Sequence, residues 1–189
     1  MSKLCSCIVP CFNEEEVIPL YYEEMQKVRK QEEGKIDFEI IFIDDGSKDK
    51  TLEVIKKLSE QDECIHYVSF SRNFGKEAAM YAGFCNAKGD YIAVMDADLQ
   101  DDINAVDQMI EKYYEGCDIV YGVRSARETD TFFKRFTAEA FYKLINKMGG
   151  EIVYNHADYR LMSNRALKGL LEFDEVNIFL RGMVPMIGY

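Results

Sequence analysis

The sequence predicts an α/β fold in which a mainly parallel sheet is flanked by helices, and three observations carry that expectation. Short apolar runs alternate with longer amphipathic segments along the 189 residues, the order that joins parallel strands by helical crossovers. The first four runs end in the polar loops Pro10-Cys11-Phe12-Asn13-Glu14, Asp44-Asp45-Gly46-Ser47, Ser71-Arg72-Asn73-Phe74-Gly75-Lys76 and Asp96-Ala97-Asp98. In an open sheet, ligands bind beyond such strand ends. A content of 48% hydrophobic residues with 13% aromatics is enough to bury one substantial core, so residues 1–189 are read as a single domain.

The elements follow in order. Leu4–Val9 is expected as the first strand, with Cys5 and Cys7 on one side of it as packing residues. A helix should run through Glu14–Gln31 and end near Gly34, because glycine closes helices readily. Phe38–Ile43 is the second strand, and Ser47 stands before a helix over Thr51–Glu60 as its cap. Strands Ile65–Phe70 and Tyr91–Met95 alternate with helices over Gly75–Ala87 and Ile103–Tyr114, and Asp118–Val123 is a fifth strand. Beyond it the pattern loosens into a helix over Thr131–Lys147, a Gly149-Gly150 break, an extended Asn155–Leu161 and a helix near Asn164–Glu172.

Charge and cysteine usage exclude several classes. The net charge is -11, yet the segment from residue 120 onward is locally +2. This argues against a general nucleic-acid binder and leaves room for a local anion site. Six cysteines form no Cys-x-x-Cys framework, nor do they lie near histidines at zinc spacing, and no secretory leader precedes the first strand. They are expected as reduced core thiols in a soluble, cytosolic chain. No apolar run approaches the roughly 18–20 residues that span a bilayer. Neither Gly-x-Gly-x-x-Gly nor Gly-x-x-x-x-Gly-Lys-Ser/Thr occurs, which disfavours NAD enzymes and P-loop phosphohydrolases.

The segment Tyr91-Ile92-Ala93-Val94-Met95-Asp96-Ala97-Asp98-Leu99-Gln100 is the most informative. Period-two alternation can turn Asp96, Asp98 and Gln100 to one side. Hard oxygen donors of this kind suit Mg2+ or Mn2+, which commonly bring phosphate oxygens with them. A solvated acidic turn is the structural alternative; the second acidic strand end at Asp44-Asp45 favours the metal and nucleotide reading. Asp101 and Asp102 fit the acidic first turn of a helix.

The runs Ile8-Val9-Pro10-Cys11-Phe12-Asn13-Glu14, Ile43-Asp44-Asp45-Gly46-Ser47 and Asp96-Ala97-Asp98-Leu99-Gln100, in this order, resemble the family 2 inverting glycosyltransferases with a GT-A, Rossmann-like fold. Asn73-Phe74-Gly75-Lys76-Glu77, Tyr121-Gly122-Val123-Arg124, Lys134-Arg135, Asp158-Tyr159-Arg160-Leu161-Met162 and Leu180-Arg181-Gly182 are similar to the polyprenyl-phosphate branch, which includes dolichyl-phosphate mannosyltransferases and undecaprenyl-phosphate glucosyltransferases. The resemblance implies a metal-dependent inverting hexosyltransferase that uses a nucleotide-sugar, UDP-glucose first, and a polyprenyl phosphate. A related transferase acting on a glycan or soluble acceptor, and a non-catalytic nucleotide-sugar binding module, are the competing readings.

The resemblance also assigns roles. Pro10, Phe12, Asn13, Glu14, Asp45 and Asp96 fall at nucleotide-sugar positions, with Phe12 stacking on the base, Asp45 accepting its imino N–H and Glu14 meeting ribose hydroxyls. For Glu14, an acidic first helical turn is the alternative. Asp44 is expected to shape the turn. Asp96, Asp98 and Gln100 fall at the positions for Mg2+ or Mn2+, and Asp98 and Asp158 at catalytic ones. Arg124, Arg135, Arg160 and Arg181 are the acceptor-phosphate cations, against the alternative of surface salt bridges. Asp158 could orient the acceptor, position Arg160 or accept a proton. A lipid phosphate with a second pKa of about 6 is already mostly dianionic near neutral pH, so positioning is favoured. Asn155-His156-Ala157 departs from the acidic, glycine-containing form of this motif. Members of this branch continue into membrane-associated helices, so the chain, ending at Met186-Ile187-Gly188-Tyr189, is expected as a portion of a protein working at the cytoplasmic face of a membrane. Phe132, Phe133, Phe136, Phe141 and Tyr142 form either a buried helix face or a partner surface for a homo-oligomer.

Overall fold

The computed structural model of the chain describes residues 2–99, 103, 105–123, 156–174 and 179–188. Strands β1 (Lys3–Cys11), β2 (Ile36–Asp44), β3 (Ile65–Ser69), β4 (Tyr91–Val94), β5 (Ile119–Val123) and β6 (His156–Ser163) form one sheet in the order β3-β2-β1-β4-β6-β5. Helices α1 (Ile18–Gln31), α2 (Thr51–Gln61), α3 (Lys76–Asn86), α4 (Ala105–Tyr114), α5 (Asn164–Leu171) and α6 (Leu180–Met186) cover it. The pairs β1/β2, β1/β4 and β2/β3 are parallel, as expected. β6 is the exception, inserted antiparallel between β4 and β5.

Alternation along each strand divides the interior into two layers. On one face Cys5, Cys7 and Val9 of β1 join Tyr21 and Met25 of α1, Ile55 of α2 and Val106 of α4. On the other, Ile8, Ile41, Val94 and Met162 meet Met80 and Phe84 of α3, Leu167 of α5 and Val184 of α6. Each fully buried aliphatic or aromatic side chain contributes about 1.5–3 kcal/mol, so the central strands are held from both sides.

Several expectations are corrected. α1 begins at Ile18 rather than Glu14, because residues 14–17 form a turn: Glu14 O accepts from Val17 N and Ile18 N at 3.0 Å. Pro19 then stands in the first turn, where its missing N–H costs nothing. Ser47 does not cap α2; its Oγ accepts from Asn13 N at 2.9 Å, while Asp49 Oδ1 takes Thr51 N at 3.0 Å. Cys5, Cys7 and Cys11 are buried thiols, but Cys85 and Cys117 are exposed. α6 went unforeseen because Gly182 and Pro185 lower its helical signal. The expected helix over Thr131–Lys147, its Gly149-Gly150 break and the Phe132–Tyr142 aromatics lie outside the described residues. No helix among the described residues is long and apolar enough to cross a membrane.

Gly46 fixes how two loops meet. Its φ is +69°, and a Cβ there would collide with the Arg72 backbone and stand 2.8 Å from Asn73 N. Gly46→Ala is therefore expected to cost roughly 1–3 kcal/mol from backbone strain, with a further loss from the collision, read as a lower urea midpoint at unchanged slope.

Candidate active site

Parallel neighbours β2 and β4 leave β1 in opposite directions across the sheet, and such a reversal point opens a crevice at the strand carboxyl ends. A cleft of about 320 Å³ lies there. The β1 loop lines it with Pro10, Phe12 and Glu14, the β2 loop with Asp45, the segment before α3 with Asn73, Gly75 and Lys76, and the β4 end with Asp96 and Asp98. All four loops singled out in the sequence thus converge.

Their positions follow from local bonding. Asp45 is 4% exposed; its Oδ1 accepts from Phe74 N at 2.7 Å and its Oδ2 from Gly75 N at 2.9 Å. Each oxygen has a second lone pair for a ligand. Asp44 accepts from Ser47 N at 3.1 Å and from the Ser69 hydroxyl at 2.9 Å, in keeping with a turn-shaping role. Phe12, by contrast, leaves 39% of its surface open at the cleft, which gives it a face on which a planar ring can stack. Asn13 is not among the lining residues. Its φ is +57° and its Oδ1 accepts from Lys48 N at 2.8 Å, so it locks the β1 turn.

Carboxylates crowd one half of the cleft. Burial pushes the Glu14 carboxyl up, and the charges of Asp98, Asp49 and Asp96 push it further. Beside Asp96 stands Lys76, which leads from the cleft to a cluster of charges around Asp158. Lys76 Nζ is 2.7 Å from Asp96 Oδ1 and 2.9 Å from Asp158 Oδ2. Burial works against the Lys76 charge, but the two carboxylates raise it on balance. Arg181 donates to Asp158 through Nε at 2.9 Å and Nη2 at 3.2 Å. Arg160 is 0% exposed, donating from Nε to Asp158 O at 3.1 Å and from Nη2 to Asp158 Oδ1 at 3.4 Å. Its Nη1 has no partner among the described residues.

Asp158 is consequently a weak proton acceptor. Its burial favours the neutral form, yet Arg181 and Lys76 hold its carboxyl well below the usual carboxylate range. It stays ionised at neutral pH, and the stability it contributes, complete above the ordinary carboxylate range, is lost only in strong acid.

Of the arginines expected to hold the acceptor phosphate, Arg181 lies partly exposed on Asp158, whereas Arg160 is buried; neither is among the residues that line the cleft. An isolated buried guanidinium is costly, so it binds the nearest carboxylate. Gln100, Arg124 and Arg135 lie outside the described residues. The sequence assigns no role to Lys76, nor to Glu77, whose Oε2 accepts from Leu180 N at 3.0 Å. Sequence spacing hides both partnerships.

The donor set fits a divalent ion. Among the described residues no three His, Cys, Asp or Glu side chains form a metal-holding group. Mg2+ in phosphate sites is typically held by one or two carboxylates, with substrate phosphates and water completing the shell, and Asp96 and Asp98 supply such a pair beside Glu14.

The fold is that of the GT-A glycosyltransferases. The solved mannosyltransferase PcManGT from Pyrobaculum calidifontis, in complex with GDP-Man and Mn2+, matches at a TM-score of 0.66 and 16% identity, over 100% of this chain and 54% of that one. The description Glycosyl transferase family 2 matches residues 6–171, and the chain belongs to that family. It is 48% identical over 188 residues to the uncharacterized glycosyltransferase YkoT of Bacillus subtilis (96% of this chain, 56% of the relative). It is 45% identical over 185 residues to the prophage bactoprenol glucosyl transferase homolog of Escherichia coli (97% and 60%). The chain therefore spans less than two thirds of the length of these relatives.

Proposed function

We propose that residues 1–189 are the catalytic domain of an inverting hexosyltransferase that moves glucose from UDP-glucose to a polyprenyl phosphate at the cytoplasmic face of a membrane. The observation that carries this reading is the acidic half of the cleft, Glu14, Asp96 and Asp98, tied through Lys76 to the neighbouring Asp158–Arg181 ion pair. A bactoprenol glucosyl transferase homolog among the relatives supports the choice of sugar and acceptor.

In this mechanism Phe12 stacks on the base, Asp45 accepts its imino N–H, and Pro10 and Glu14 frame the ribose. Asp96 and Asp98, with Gln100, hold Mg2+ or Mn2+, which when bound offsets charge on the departing diphosphate. Arg181, with Arg124 and Arg135, meets the acceptor phosphate; Asp158 aligns Arg181 while Arg160 steadies Asp158. A phosphate oxygen of the acceptor attacks C1 opposite the diphosphate. The C1–O bond breaks, its electron pair leaves with UDP, and the anomeric configuration inverts. No strong base is needed, because the attacking phosphate monoester is already ionised. Catalysis then rests on alignment and charge stabilisation.

The deciding experiment gives the full-length protein a panel of nucleotide-sugars with polyprenyl phosphate, with and without divalent ion. An inverted glucosyl phosphoprenol made only from UDP-glucose is expected; glucose on a soluble glycan instead would sink the acceptor assignment. Phe12→Ala should raise the donor KM about tenfold or more with little change in kcat, as loss of one base stack implies, read from initial rates.

A further inference from the structure

Lys76 is the single cation among the described residues lining the cleft, and it bridges the acidic half and the Asp158 cluster. Its ammonium is 2.7 Å from Asp96 and 2.9 Å from Asp158. Asp158 does not depend on it, since Arg181 and Arg160 also bind that carboxylate. We propose that Lys76 is a positioning residue that couples the two: a cation arriving at Asp96 releases Lys76 to Asp158, and this completes the anion site for the acceptor. The inference rests on the donor and metal reading above.

The argument is one of charge and reach. A divalent ion and an ammonium cannot share the Asp96 carboxylate at contact distance without mutual repulsion. The lysine stem is flexible and its head already touches Asp158, so withdrawal from Asp96 requires rotation only. Before that move Lys76 is divided between two carboxylates. Afterwards Lys76, Arg160 and Arg181 face Asp158 and Glu77, the acids that act on this cluster, and the balance is positive. A phosphate monoester, carrying close to two negative charges near neutral pH, matches such a site. Donor and metal would thus bind before acceptor, and the order would guard against acceptor occupying a site that holds no sugar.

Two bindings measured without turnover test this. Mn2+ alone is titrated by electron paramagnetic resonance into the wild type, Lys76→Met, Lys76→Gln and Lys76→Arg. The neutral variants should bind Mn2+ about fivefold or more tighter, the lower range of ordinary coupling, while Lys76→Arg stays near wild type. Geranyl phosphate is then titrated calorimetrically with and without Mg2+ and UDP, which together should tighten its binding about fivefold in wild type and leave it unchanged in Lys76→Met. Equal Mn2+ affinity in wild type and both neutral variants, or equal enhancement in wild type and Lys76→Met, overturns the coupling while leaving the donor reading intact. A wild type that binds neither Mn2+ nor UDP overturns both.

Discussion

Asp98→Ala is expected to lower glucosyl transfer about 100- to 1,000-fold, with removal of divalent ion by a chelator giving a loss of similar size. The reasoning begins with the leaving group. Nucleoside diphosphate departs with growing negative charge, and a preorganised partner for such charge is worth about 3–4 kcal/mol in the transition state. Asp98 is exposed at the cleft, so its loss should change folding stability by less than about 0.5 kcal/mol. The effect should therefore fall on kcat and on nucleotide-sugar hydrolysis alike, with the melting temperature nearly unchanged. It should also relieve one of the charges that push the Glu14 carboxyl up, so the Glu14 titration, followed by carbon NMR, should move downward in the variant. Transfer that persists in Asp98→Ala and in chelator would defeat the metal-assisted mechanism.

Asp158→Ala should behave differently, losing stability as well as activity. The carboxylate accepts from the fully buried Arg160 side chain and also binds Arg181 and Lys76. Removing one member of a buried ion pair leaves a desolvated charge behind, at a cost of roughly 3–5 kcal/mol. Urea denaturation should report that cost as a lower midpoint. Asp158→Asn retains an acceptor oxygen but not the charge, so it should fall between alanine and wild type. A variant with full stability would mean that Arg160 has another partner. The activity loss should not be repaired by raising pH, because the wild-type carboxyl is already ionised far below neutrality.

Much of this arrangement was legible in the chain because the first four strands are mostly apolar runs that give way to polar loops rich in carboxylates and amides. Phe12, Glu14, Asp45, Asp96 and Asp98 could be grouped before any fold was known, since parallel topology alone sends those loops to one edge. What the motif did not reveal about Asn13 is that its side chain serves the backbone of Lys48, as short polar residues in left-handed turns readily do. The burial of Arg160 was hidden for another reason: a charged residue is usually exposed. Alternation in Asp158-Tyr159-Arg160-Leu161-Met162 held the signal, because it puts Asp158 and Arg160 on the face of Met162, a buried residue. The bridge from Lys76 to Asp96 and Asp158 had no local signature, its members being brought together only by the sheet order.

The reversed course of β6 has an evolutionary corollary. Running against β4, with Arg160 opposite Val94, it delivers the beginning of one strand to the finish of another. The parallel units that carry Glu14, Asp45, Asp96 and Asp98 are completed before residue 100, so the later strand can be lengthened, re-aimed or exchanged without redrafting them. On the proposed function, a lineage built on this plan can swap the molecule it decorates while keeping the sugar source it draws on.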